Sequence, residues 1–148
     1  MIELDANGEP PWLVIARGEL GVHETPGPAS TKRIDEYLRS TMLPERFIED
    51  ETPWCAAFTG WCLRGAGVAS TRSAGARSYL RWGVELDEPR VGCVAVLTRP
   101  GLPTSGHVAF WLGAGGEGKV RLLGGNQSNS VCTRVYDASR VISYRWAK

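Results

Sequence analysis

Hydrophobic and polar positions follow two different periods along this chain, and the change falls near its middle. In the first half, apolar residues recur at helical spacing. Trp12, Ile15, Ala16 and Leu20 mark one face of a helix that Pro10-Pro11 would open and Gly21 would close. Ile34, Tyr37 and Leu38 mark a second, short helix, with Ser30 or Thr31 placed to cap it. From Trp54 to about Ala66 the chain is apolar nearly all round, the pattern of a central buried helix; Thr52 and Pro53 stand at its start, and Gly65 and Gly67 stop it. Ser73 to Trp82 reads as a further helix, closed by Gly83.

In the second half the segments are short and rich in β-branched and aromatic residues. Val91–Thr98, His107–Leu112, Lys119–Leu123, Val131–Tyr136 and Val141–Trp146 are the expected strands, separated by glycine- and proline-bearing loops at Arg99–Ser105 and Gly113–Gly118. Helices followed by strands, without alternation, is the α+β pattern: N-terminal helices packed on a C-terminal antiparallel sheet of about five strands. With 148 residues, no repeat and no linker, the expectation is a single domain over 1–148.

Composition narrows the functional classes. At 43% hydrophobic and 22% charged residues the chain is ordinary globular material. The formal net charge is +1, with Lys and Arg scattered among Asp and Glu, so no basic stripe points to nucleic acid. Runs such as Trp12–Ala16 and Val94–Leu97 are far too short for membrane insertion. Met1 to Pro11 is acidic and lacks the basic-then-apolar leader pattern, so the protein is expected to be made in the cytoplasm without a signal peptide. Function must be sought in a local constellation of residues.

The cysteines supply one. Cys55, Cys62, Cys93 and Cys132 show neither metal-binding CxxC spacing nor the density of a disulfide-stapled domain, and three of them read as small buried hydrophobes. Cys55 differs because it falls in the first turn of the central helix. Free backbone N–H groups and the positive end of the helix dipole favour a thiolate there, the nucleophile of cysteine hydrolases. Such an enzyme needs a base, and the chain offers two histidines. His107 opens a strand after the Pro103–Gly106 loop, at the rim of the sheet, whereas His23 lies in a loop and reads as solvated. An imidazole base needs a partner on its other nitrogen. Asn126 and Gln127, at the end of the next strand, both carry an amide oxygen able to accept from it. Gly113–Val120 nearly matches a P-loop, but it ends on Val120 rather than a hydroxyl residue and precedes a strand, so it reads as a hairpin loop. Asn126-Gln127-Ser128 fits the N-glycosylation pattern, which carries no weight without a secretory leader.

Taken together, Pro53-Trp54-Cys55-Ala56-Ala57-Phe58, Gly106-His107-Val108-Ala109-Phe110 and Gly124-Gly125-Asn126-Gln127 resemble the CHAP group of peptidoglycan hydrolases, relatives of the NlpC-type peptidases in the papain-like superfamily. Gly21-Val22-His23-Glu24-Thr25-Pro26-Gly27 and Ser73–Ser78 resemble segments of a small phage and prophage endolysin-like family. The resemblance implies a papain-like fold with Cys55 as nucleophile, His107 as general base and Asn126 as the orienting residue, with Gln127 as the alternative in that third role. It also suggests that Glu24, Glu51, Trp54 and Gln127 line the substrate cleft; Glu51 reads equally well as a charge at a helix N-terminus. The chain departs from the family where Glu-x-Asn often stands: the glutamate position is Gly124, so the usual carboxylate behind the imidazole is missing.

The expected activity is hydrolysis of an amide bond in the peptide part of peptidoglycan, by an endopeptidase or an N-acetylmuramoyl-L-alanine amidase. No cofactor and no metal are implied. The expected partner is peptidoglycan, met as a monomer at the wall or periplasm after release or delivery; a holin or an immunity protein would be involved only indirectly. Three other readings stand beside a phage or prophage lysin. An antibacterial effector toxin would use the same chemistry, and a cytoplasmic thiol protease or acyltransferase is compatible with the triad alone. A non-catalytic wall-binding module would need aromatic repeats or a second domain, and neither is visible.

Overall fold

The computed structural model describes residues 2–24, 32–43 and 54–148. The possible caps Ser30 and Thr31, and Glu51 with Thr52 and Pro53, lie outside them. Three α-helices come first: α1 (Pro11–Gly18), α2 (Lys32–Arg39) and α3 (Cys55–Gly65). Proline at the first position opens α1, as its fixed φ and missing N–H predict. Eight of the eleven residues of α3 are buried, so this helix is the hub of the helical layer. No helix among the described residues is long and apolar enough to cross a membrane.

Ser73–Trp82 differs from expectation. Its middle forms a 3₁₀ helix over Ala76–Arg81 rather than an α-helix. The cause lies just upstream, where hydroxyls compete for the backbone: Thr71 Oγ1 accepts from the Ser73 N–H at 3.3 Å, and Ser73 Oγ accepts from the Gly75 N–H at 3.0 Å. These local turns occupy the chain up to Gly75, and the 3₁₀ turn begins only after it.

The strands are β1 (Val84–Leu86), β2 (Val94–Thr98), β3 (Gly106–Ala114), β4 (Lys119–Gln127), β5 (Ser130–Asp137) and β6 (Val141–Trp146). They form one antiparallel sheet in the order β1-β6-β2-β3-β4-β5. The sheet has six strands rather than about five, because β1 is only three residues long, too short for its alternation to register. β4 also runs further than expected. Gly124 to Gln127 has the composition of a turn, yet it stays paired to β5.

Alternation along the strands gives the sheet two apolar faces. Val94, Val96, Val108, Phe110 and Leu123 face the helices and join Trp12, Leu13, Phe58 and Leu63 in the main core. Ala95, Leu97, Ala109, Val120 and Leu122 form a smaller cluster on the other face, covered in part by Trp111, Tyr136 and Tyr144. His107 shares its strand face with Ala109, so the histidine belongs to this second face.

β4 approaches α3 closely at Gly125. A Cβ there would lie 2.7 Å from both Phe58 Cβ and Trp54 Cζ3. The adjacent Gly124 looks the other way, and its Cβ would meet Ala109 Cβ at 2.7 Å and Gln127 Oε1 at 2.9 Å. The two glycines therefore serve opposite faces of one strand: one lets the sheet touch the helix start, the other clears space beside the histidine.

Candidate active site

Cys55 is the first residue of α3, and Trp54 before it makes no side-chain cap. Among the described residues, no side chain caps the N–H groups of the first turn. The Cys55 thiol is nearly buried, at 4% exposure. Burial alone would push its pKa up. The hydrogen bond to the His107 imidazole, the imidazole's charge, the Val108 backbone and the charge of Arg99 together outweigh burial and hold the thiol below its ordinary value of 9.0. The other two buried thiols go the opposite way. Burial raises Cys62 well above the usual range and pushes Cys93 up to about 11. All four cysteines are free thiols, and Cys132 is partly exposed rather than a buried hydrophobe.

His107 is the second residue of β3, opposite Leu97 of β2, and is 4% exposed. The group that meets the far side of its ring is Gln127, not Asn126: His107 Nε2 stands 2.9 Å from Gln127 Oε1. The Gln127 NH₂ is committed elsewhere, donating to the Cys132 carbonyl at 2.7 Å and to the Leu122 carbonyl at 3.4 Å. Two backbone acceptors therefore fix which end of the amide faces the ring. An amide oxygen can only accept, so His107 Nε2 carries the hydrogen and Nδ1 is left for the thiol. The Tyr136 ring packs beside the imidazole at 5.5 Å between centroids.

The exchange of Asn126 for Gln127 has a local cause. Gly124 pairs with Cys132 and Gln127 pairs with Ser130, so three steps along β4 match two along β5. This is a β-bulge, and one extra residue reverses the alternation after it. Without the bulge, Asn126 would share a face with Gly124 and His107. With it, Asn126 sits on the bulge at φ 56°, partly exposed, and Gln127 takes the inward place at 1% exposure. Its amide lies against the space that a side chain at position 124 would fill. The absent carboxylate of Gly124 is thus answered by the amide of Gln127.

The expected substrate-lining residues fare differently. Trp54 is fully buried, stacked near Tyr37, and its indole N–H donates to Glu24 Oε1 at 2.7 Å. Its bulk supports the helix start and offers no surface to a substrate. Glu24 is half-buried and spends that oxygen on Trp54, and neither residue lines the cleft. Gln127 faces inward to the imidazole. Glu51 lies outside the described residues. His23 is exposed and forms an isolated bridge with Ser130.

Two adjoining hollows make up the cleft. One, of about 320 Å³, is walled by Cys55, by Ala74–Ser78 and by Thr104–Gly106. The other, of about 490 Å³, opens over His107, Asn126 and Tyr136, with several basic side chains on its rim. Arg99 lines both. Sequence reasoning passed over Arg99, Tyr136 and the basic rim. It did single out Ser73–Ser78, but without placing it on the wall beside Cys55. Arg77 ties that wall to the loop after β2, its Nε donating to the Ser105 carbonyl at 2.7 Å.

A depressed thiol at a helix start, an imidazole from a facing strand and an amide behind the imidazole make the geometry of a thiol-dependent hydrolase. A comparison with protein-family models agrees at the level of family. The family model described as "CHAP domain" matches residues 48–126, more than half of the chain, and the chain belongs to that family of cysteine-dependent, peptidoglycan-hydrolase-type peptidases and amidases. The matched stretch contains Cys55, His107 and Asn126 and stops one residue short of Gln127. No curated protein matches the chain. Among solved structures it is similar to a protein described as similar to lipoprotein, of the NLP/P60 family, from Staphylococcus aureus subsp. aureus Mu50. Identity is 14% and the TM-score 0.43, over 84% of this chain and 45% of that one, so the chain spans less than half of that protein's length.

Proposed function

We propose that this protein hydrolyses an amide bond in the peptide part of peptidoglycan, with Cys55 as nucleophile, His107 as acid and base, and Gln127 as the residue that positions His107. The observation that carries this reading is the chain of contacts from Cys55 through His107 to Gln127, in which the thiol is depressed and the imidazole tautomer is fixed. The Cys55 thiolate attacks the carbonyl carbon. The oxyanion is held by the Cys55 backbone N–H at the helix start. The imidazolium protonates the departing amine from Nδ1, leaving an acyl thioester on Cys55. His107 then takes a proton from water, whose oxygen attacks the thioester, and the acid product and free thiol are released. Gln127 accepts the Nε2 hydrogen throughout.

The matched family supports the substrate class, and the endolysin-like segments favour a role as a phage or prophage lysin. The Ser73–Ser78 segment belongs to that resemblance and walls the hollow beside Cys55. Purified sacculi provide the test. Wild-type protein releases soluble peptide fragments, and Cys55→Ala lowers the rate by at least ~10³-fold. Lysis by Cys55→Ala at the wild-type rate would overturn the proposal. Mass spectrometry of the fragments identifies the bond: a free muramic acid lactyl group marks an amidase, a cut stem an endopeptidase.

A further inference from the structure

The larger hollow, over His107, carries a charge imbalance that hydrolysis of an amide does not require. Its lining holds four cationic side chains, Arg99, Lys119, Arg134 and Arg140, against a single carboxylate, Asp137. Lys119 and Asp137 form an ion pair with each other, and Arg140 also lies within the field of Asp137. Arg99 and Arg134 have no ion-pair partner among the described residues.

Two of the guanidinium groups, those of Arg134 and Arg140, are held in place by neutral atoms. Arg140 Nη2 and Nε donate to the Thr98 carbonyl at 2.8 and 3.3 Å. Arg134 Nη1 donates to Ser128 Oγ at 3.1 Å. Both stand over the Tyr136 ring, at 5.2 Å for Arg140 and 5.9 Å for Arg134, so two like charges lie close to one aromatic ring. Tyr136 in turn packs on His107. Arg99 closes the other side, where the hollow meets that of Cys55. Forked donors converging on an open hollow, with few acceptors of their own, match a planar anion.

We propose that Arg99, Arg134 and Arg140 form a carboxylate-binding subsite beside His107, so that the preferred substrate carries a free carboxylate next to the scissile amide. This inference rests on the peptide-hydrolase reading above. The hollow is lined by His107 and shares Arg99 with the hollow beside Cys55, so the anion it takes is placed to be part of the molecule being cut. In a peptide that anion is a carboxylate: the α-carboxylate of an acidic residue, a carboxylate on a diamino-acid side chain, or a free C-terminus. The subsite therefore selects stem peptides whose carboxylates are free over those in which they are amidated.

The experiment compares two sets of defined stem peptides, identical except that the carboxylate beside the cut is free or converted to a primary amide. Wild-type enzyme is expected to favour the free acids by ~10–100-fold in kcat/KM, mostly through KM. In Arg134→Gln, which leaves the thiol's surroundings alone, the preference falls to within about threefold. Arg99→Gln loses it too and also lowers kcat, because Arg99 acts on the Cys55 thiol. Rising salt shrinks the wild-type preference. Binding to Cys55→Ala protein, followed by calorimetry, gives the same ranking without turnover. Equal cleavage of acid and amide by the wild type, or an unchanged preference in both arginine variants, overturns the subsite while leaving the hydrolase reading intact. Failure of the wild type to cut either peptides or sacculi removes both.

Discussion

A single amide decides how the imidazole is held. Asn126 and Gln127 offer the same chemistry, and the sequence left both open as partners of His107. The structure separates them by burial and by contact, with Gln127 inward at 2.9 Å from the ring and Asn126 on the bulge. Gln127→Ala is therefore expected to lower kcat on the order of 10²-fold, by releasing the imidazole from its productive tautomer. Asn126→Gly keeps the left-handed backbone and should hold kcat within about threefold. A variant at position 126 as damaging as one at 127 would contradict this assignment. The thiols separate as clearly. Cys55 is depressed, so its alkylation by iodoacetamide should rise with a midpoint below 9.0, while Cys62 and Cys93 stay unmodified in the folded protein at neutral pH. Peptide mapping of the modified protein reads this directly. A midpoint at or above 9.0 for Cys55 would remove the case for an activated thiol. Its position at a helix start and its pairing with His107 were legible in the sequence; the further help of Val108 and Arg99 was not, because they reach it only through the fold.

Among the elements, α3 and β4 govern the site through their closest approach. Most of these elements were legible from periodicity and from glycine and proline punctuation. The departures have separate local causes: Gly124–Gln127 has turn-like composition yet pairs with β5, and hydroxyl bonds at Ser73–Gly75 replace the first turns of the expected helix. The paired glycines of β4 make a sharp test. Gly125→Ala places a methyl 2.7 Å from Phe58 and Trp54, so β4 and α3 must part. The expected cost is about 1–3 kcal/mol of stability, read from denaturant midpoints, with activity falling alongside. Gly124→Ala instead meets Ala109 and the Gln127 amide oxygen. Activity should fall further than stability there, because the oxygen that holds His107 is displaced. Equal effects of the two substitutions on both measurements would show that the glycines do not serve separate faces.

Across the whole molecule, charge and titration behave in ways no local pattern reveals. The net charge of +1 and the scattered basic residues gave no hint of a charged surface. Yet β2, β5 and the 3₁₀ turn Ala138–Arg140 bring Arg99, Arg134 and Arg140 to one hollow. Sequence separations of 35 and 6 residues vanish once the strands pair. Stability at high pH follows from the buried acids. Burial pushes Cys93 from 9.0 up to about 11, and Tyr79 from 10.0 up to about 12. Both groups stay protonated in the folded state while the unfolded chain ionises. Their contribution is complete below the unfolded values and lost as pH rises through the folded ones. Stability should therefore fall between about pH 9 and 12, with Cys93 alone accounting for about 2–3 kcal/mol. Urea unfolding at a series of pH values checks this, and Cys93→Ala should flatten the lower part of the slope. A midpoint unchanged across that range would refute it.

The bulge in β4 works like a shift of reading frame. Motif letters count residues, whereas the imidazole counts faces of a strand, and one inserted residue puts the two counts out of step. In a chain lacking the insertion, the same space beside the histidine would be reached one position earlier, and the amide would have to be written there instead. Deleting Asn126 here, and thereby drawing Gln127 back one place along the strand, would make that plain register visible: the glutamine would still face the histidine only if the strand regained its plain alternation.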